Sequence, residues 1–169
     1  MSIEDVNNVP KLLKVLEEIT SFEIRVGFVG QVDSKILMIA HVNEFGWQIE
    51  VTDKMRGYLG ATGLHLKKET TNINIPERSF IRGGYDENKG KLERLIEGLL
   101  ERVVTFQITV EQFQNQIGQY CVGFIQEFMT DLSGPENHPY TVDNKGGKTN
   151  PLIDSGELRE KITYKVVKK

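Results

Sequence analysis

The sequence predicts an α+β fold: a small twisted, mainly antiparallel sheet packed with two long amphipathic helices, plus extended arms and loops. Three observations carry this. Residues 92–104 place Leu92, Leu95, Ile96, Leu99, Leu100, Val103 and Val104 at spacings of three and one, the signature of a helix with one apolar face. Residues 110–128 repeat it with Val110, Phe113, Ile117, Tyr120, Cys121, Phe124, Ile125 and Phe128. Near each end of the chain, apolar residues alternate instead with period two, as half-buried strands do. These are Phe22, Ile24, Val26 and Phe28, then Ile162, Tyr164 and Val166.

The remaining elements follow in chain order. Val9, Leu12, Leu13, Leu16 and Ile19 form one stripe of a first helix over 9–22, and Pro10 is tolerated in its first turn. The alternating strand runs from Phe22 towards Gly30. Asp33 or Ser34 caps a helix from Lys35 to Phe45, apolar on most sides and so expected to be buried over most of its surface; the same run also suits a strand. Trp47–Thr52 is expected to be extended. Asp53 caps a weak glycine-bearing turn through Tyr58 and Leu59. Leu64–Lys67 and Thr71–Ile75 suit two strands, with Ile73 and Ile75 on one face. Residues 57–84 thus read as an arm, and the first long helix as starting after Gly84. Thr109 and Gln112 have the spacing of a capping box for the second. Residues 133–150 hold many turn formers and little to bury, which predicts a flexible loop. Asp154 or Ser155 then caps a turn carrying Leu158, and a terminal strand follows.

With 169 residues the chain suits one domain, 1–169. It is 38% hydrophobic and 27% charged, with net charge −3 and a pI near 5.7, which argues against a broad nucleic-acid surface. The last nine residues nevertheless hold four lysines and no acid. Cys121 is the only cysteine, so no intramolecular disulfide forms, and its place on an apolar helical face suits a small buried thiol. The acidic N-terminus does not read as a signal peptide and no apolar run reaches membrane-span length, so synthesis in the cytoplasm is expected.

Motifs that would carry chemistry fall short. Gly147-Lys148-Thr149 resembles the end of a phosphate-binding loop, but Val142 stands where the first glycine is required and Pro151 opposes an immediate helix. Gly84–Lys91 fails on spacing. His41, His65 and His138 have no partners at metal-ligand spacing. His41 reads as a core or interface group and His65 as exposed. Glu44 and the Asp154–Glu157 pair would form a carboxylate dyad only if the fold joined them; otherwise they are a helix C-terminal acid and a helix cap. No catalytic residue, metal site or cofactor is expected.

The stretch Asn74-Ile-Pro-Glu-Arg-Ser-Phe-Ile-Arg82 stands out. Pro76 ends an extended segment, and Phe80 and Ile81 lie between two arginines. Such a group is either a core plug with solvated arginines or an interface anchor, since aromatics and Arg are enriched at protein contacts. The interface reading makes Arg78 and Phe80 matter more to joining than to folding.

Three segments resemble, in order, the tail-completion or head-to-tail joining (neck) proteins of long-tailed bacteriophages, the virion morphogenesis type included. Ile39-Ala-His-Val-Asn-Glu-Phe-Gly46 is similar to the family's Glu-Phe-Gly element. Ile75-Pro-Glu-Arg-Ser-Phe80 is similar to its Ile-Pro-Ala-Arg-Pro-Phe signature, with Ser79 in place of proline. Asn150-Pro-Leu-Ile-Asp-Ser-Gly-Glu-Leu-Arg159 is similar to its ending, with Ser155 in place of threonine. The resemblance runs from about residue 24 to the C-terminus. It implies a structural virion component made in the host cytoplasm, with no enzyme activity and no cofactor. It implies a homo-oligomeric ring at the portal end of the tail, touching other neck proteins (a connector or adaptor, a tail terminator or the tail tube). DNA would pass through its lumen without specific binding, and no membrane is involved. The expected interface residues are Glu44, Phe45, Gly46, Pro76, Arg78, Phe80, Asp154, Gly156 and Leu158. The alternatives are a small nucleic-acid-handling protein using the basic C-terminus with Arg78 and Arg82, or a nucleotide-binding domain built on the glycine loops.

Overall fold

The computed structural model describes residues 7–169. Its centre is an antiparallel helical hairpin, formed by the two strongest periodicities in the sequence. The elements, in chain order, are α1 (Val9–Thr20), β1 (Phe22–Gly27), α2 (Ser34–Phe45), β2 (Trp47–Glu50), α3 (Asp53–Ala61), β3 (Asn72–Ile75), α4 (Phe80–Val104), α5 (Val110–Asp131), α6 (Pro139–Asn144), α7 (Glu157–Glu160) and β4 (Thr163–Lys168). Leu92, Leu99 and Val103 of α4 meet Val110, Phe113, Ile117, Phe124, Ile125 and Met129 of α5 in one buried cluster. The capping box holds. Thr109 Oγ1 accepts from Gln112 N at 3.1 Å, and Gln112 Oε1 accepts from Thr109 N at 2.9 Å. Two orphan amides at the start of α5 are thereby satisfied.

The first and last strands pair. β1 and β4 run antiparallel with Phe22 opposite Lys168 and Val26 opposite Tyr164. This ribbon lies on α5, where Phe22 meets Phe113 edge to face at 6.4 Å between ring centroids. Tyr164 lies flat over Gly118, so any Cβ there would collide with its ring, and its hydroxyl donates to Asn115 Oδ1 at 3.0 Å. The strand material is not one sheet. β2 and β3 make a second antiparallel pair, Trp47 opposite Ile75 and Glu50 opposite Asn72. α3 lies between its strands in sequence, and Arg56 ties this helix to the following loop by donating to Lys67 O at 2.8 Å and Thr70 O at 2.7 Å.

Several expectations change. No strand forms over 64–67; residues 72–75 pair with β2 instead. Thr52, not Asp53, caps α3, accepting from Met55 N at 3.2 Å. β1 stops at Gly27. α4 begins at Phe80 rather than beyond Gly84, because a carboxylate from another helix caps it early, as described below. The expected arm of 57–84 therefore yields its last residues to the helical body. α2 buries Ile36, Ala40 and Glu44, whereas Leu37, Met38, Ile39 and Phe45 are exposed. The cause is the small extent of its neighbours: α2 packs mainly on α4 and the single turn α7, which cover only part of its circumference. Likewise α1 packs through Val15 and Ile19 and leaves Val9, Leu13 and Leu16 in solvent. The 133–150 stretch contains α6 and is tied down at several points, more structure than its composition suggests.

Candidate functional site

The junction between α2, β3 and α4 is built on one buried carboxylate. Glu44, in the last turn of α2, is 5% exposed. Its Oε2 accepts from Ile81 N at 2.9 Å and its Oε1 from Arg82 N at 3.1 Å. Ser79 Oγ donates to Oε1 at 3.1 Å, and Arg82 Nε donates to the same atom at 3.0 Å. Ser79 itself makes no side-chain cap, so α4 is capped from a different helix. A carboxylate fits there because the first amides of a helix lack intrahelical partners and its N-terminal end carries partial positive charge. Glu44 thus receives four donors, three on Oε1 and one on Oε2, and ties α2 to the start of α4.

Arg82 closes the junction from outside. Its Nη2 donates to Glu44 O at 2.6 Å and to Glu77 Oε1 at 2.9 Å, and the guanidinium lies 4.7 Å from the centre of the Phe45 ring. The hydrogen bond to Glu44 is the main reason its pKa rises above the ordinary arginine value. Gly46 sits under this arrangement with φ +69°; a Cβ there would lie 3.0 Å from Glu77 N and 3.1 Å from Ile75 O. Only glycine lets the chain pass so close to the β3–α4 connection. Arg78 N donates to Asn43 O at 2.7 Å, fixing the connection to α2 from its other side.

Arg78 is a second pin, 6% exposed. Its Nε donates to Pro135 O at 2.7 Å, Nη2 to Glu136 O at 3.0 Å and to Asn137 Oδ1 at 3.2 Å, and Nη1 to Asn43 Oδ1 at 3.3 Å. Every partner is neutral, and burial lowers its pKa from the ordinary value. Arg78 thus joins α2 to the start of the 133–150 stretch. Asn150 anchors the far end of that stretch. Its Nδ2 donates to Met129 O at 3.1 Å and Thr130 O at 3.0 Å at the close of α5, while its Oδ1 accepts from Leu152 N and Ile153 N.

Two of the expected interface residues are corrected here. Phe80 is fully buried, packed edge to face on Phe28 at 6.2 Å, and has no surface to offer a partner. Arg78 spends its donors inside its own chain. Both follow from Glu44 drawing the start of α4 inward. Pro76 is exposed. Phe45 is 54% exposed and stacks near His41, 4.9 Å between centroids, with Trp47 at 6.1 Å from His41 on its other side. Glu44, Phe45 and Gly46 therefore meet the 75–82 segment through Ser79, Ile81 and Arg82 and the backbone of Ile75 and Glu77.

The third group lies at the other end of α2. Leu158 is half-buried against the core, and Gly156, φ +90°, starts α7. Asp154, Gly156 and Leu158 line one open cleft of about 430 Å³ with Ile36 and Ile39 of α2 and its capping residue Asp33. Asp154 is exposed and faces Lys148 at 3.9 Å, so it forms no dyad with Glu44, which is sealed at the far end of the helix. Lys148 Nζ donates to Asp154 O at 2.7 Å, and α6, not a strand, precedes the Gly147-Lys148-Thr149 turn. Among the described residues no cluster of His, Cys, Asp and Glu is arranged to hold a metal ion, and no helix is long and apolar enough to cross a membrane.

Asn43, Arg82 and Asn150 are the site residues that the expected set left out. Asn150 stands at the head of the third motif, and Arg82 two residues beyond the second; Asn43 has no sequence signal, since an Asn late in a helix is common. No protein-family model, curated protein or solved structure matches the chain.

Proposed function

We propose that the chain is a structural virion component, a ring-forming neck or tail-completion subunit that joins a bacteriophage head to its tail and has no catalytic role. The observation that carries this reading is the convergence of all three resemblance motifs on α2. Glu44-Phe45-Gly46 closes the helix against Ile75–Arg82, and the Asn150–Leu158 motif lies along its first half. Motifs distant in sequence and unconnected by a catalytic centre serve a shared frame. A frame of this kind holds body and arm at a fixed angle, which a ring subunit needs if head-to-tail contacts are to close.

Exposed apolar groups support the assembly part of the reading. Leu13 and Leu16 on α1, Met38 and Phe45 on α2, and Trp47 on β2 stand in solvent in the single chain. Among the described residues the β2–β3 ribbon leaves both outer edges unpaired, open to strand addition by a neighbouring copy. The partners would be further copies of the chain and adjoining neck or tail proteins, with DNA passing through the lumen without specific contacts. The arginines invoked for nucleic-acid handling are engaged within the chain, Arg78 on carbonyls and Arg82 on carboxylates.

The test is loss of the protein from the phage that encodes it. The expected result is filled heads and finished tails that stay unjoined, restored by the purified chain. Normal particles without the protein would overturn the proposal, as would a requirement limited to DNA replication.

A further inference from the structure

A cavity of about 510 Å³ lies between β1 and the α4–α5 hairpin, next to the start of α4 that Glu44 caps. Its size is within the range of small-molecule sites, about 300–1,000 Å³. Val26, Ile81, Leu92, Ile117 and Phe124 supply walls from three elements, so a single chain forms it. Its charged groups are Arg82 and Asp86, which with Tyr85 share one face of α4 at spacings of three and four. Arg82 is already paired with Glu44 and Glu77. Asp86 has no ion-pair or hydrogen-bond partner among the described residues, so the mouth is net negative.

We propose that this cavity binds a small amphiphile with an apolar body and a cationic head, the body lying among Val26, Leu92, Ile117 and Phe124 and the head beside Asp86. The apolar walls exclude a charged or strongly polar body, because such a group would lose its water without gaining a partner. The uncompensated carboxylate at the opening selects the sign of the head. Cys121 lines the same cavity as a small buried thiol and adds no charge to its walls. The inference stands independently of the virion reading.

Three probes with one tail test it: octyltrimethylammonium, octyl sulfate and 1-octanol, each below its micelle concentration, titrated calorimetrically into the full chain. The ammonium probe is expected to bind at a single site about tenfold more tightly than the sulfate, the size of gain and loss that one exposed charge produces. Asp86→Asn, at an exposed position, should fold normally and remove most of the preference for the cation while leaving octanol binding unchanged. Equal or tighter binding of the sulfate would overturn the proposal. So would absence of binding or an unchanged preference in the Asp86→Asn chain. Binding that weakens as protein concentration rises would place a second copy in the cavity and equally overturn it.

Discussion

The carboxylate of Glu44 and the guanidinium of Arg82 meet at 3.0 Å across the start of α4, one 5% exposed and the other about half exposed. The pair is unequal. Glu44 also holds two backbone amides that have no other partner, whereas Arg82 is held by two acids and a carbonyl. Removing each side should therefore have different consequences.

Glu44→Ala is expected to destabilise the chain by about 2–4 kcal/mol, since it removes a buried acceptor of several hydrogen bonds and uncaps a helix in one change. Arg82→Ala should cost clearly less, because half of its side chain is already in water. Urea unfolding of the two variants measures the difference. Equal losses would show that the ion pair, not the capping of Ile81 and Arg82, dominates.

Phe80→Ala should cost about 3–5 kcal/mol in the isolated chain, the usual loss for a buried aromatic. The residue is a core plug, and its thermal midpoint should drop well below the parent's. An unchanged midpoint would contradict its burial.

Phe45, unlike the buried Phe80, has surface to offer a partner. Phe45→Ala removes an exposed ring and one cation–π contact, so its stability cost should stay near 1 kcal/mol or less. Under the proposed function, the same change should impair assembly. Sedimentation of the variant, beside its melting curve, separates the effects; a large loss of stability with normal assembly would count against Phe45 as a contact.

Arg78→Lys should loosen the start of the 133–150 stretch. A lysine ammonium has no planar fork with which to hold Pro135 O and Glu136 O together. Amide exchange at 136–138 should quicken more than exchange in α5. Uniform exchange across both segments would show that Arg78 does not pin this stretch.

Cys121 supplies a pH signature. Burial pushes its thiol up to about 11, above the range of an exposed thiol. The folded chain therefore keeps a proton that the unfolded chain releases first. By linkage the stabilising contribution is complete at lower pH and is lost as pH climbs from the unfolded value towards 11. The parent should lose stability more steeply than Cys121→Ala between pH 9 and 11. Parallel stability curves would rule this out.

The helical hairpin was legible because its stripes are long: over several turns, only a 3.6-residue period places Leu92, Leu99 and Val103 on one face. Thr109 and Gln112 could be read because a capping box is local in sequence. The β1 and β4 alternations likewise marked strands, though not that they pair with each other across some 140 residues of chain, a distance set by the hairpin they share. The sequence also determined that Cys121 would be buried, from its place on an apolar stripe. What it left undecided was how an exposed-looking acid and two arginines would be used. Glu44 became a cap for α4 only because α2 ends beside residues 79–82, and that proximity drew Phe80 inside and moved the start of α4 forward. Tertiary structure also decided that α2 would stay half in solvent, since periodicity records how apolar a helix is but not whether its neighbours are wide enough to cover it. Burial of a charge depends on partners far away in the chain, and those partners exist only once the fold has brought them together.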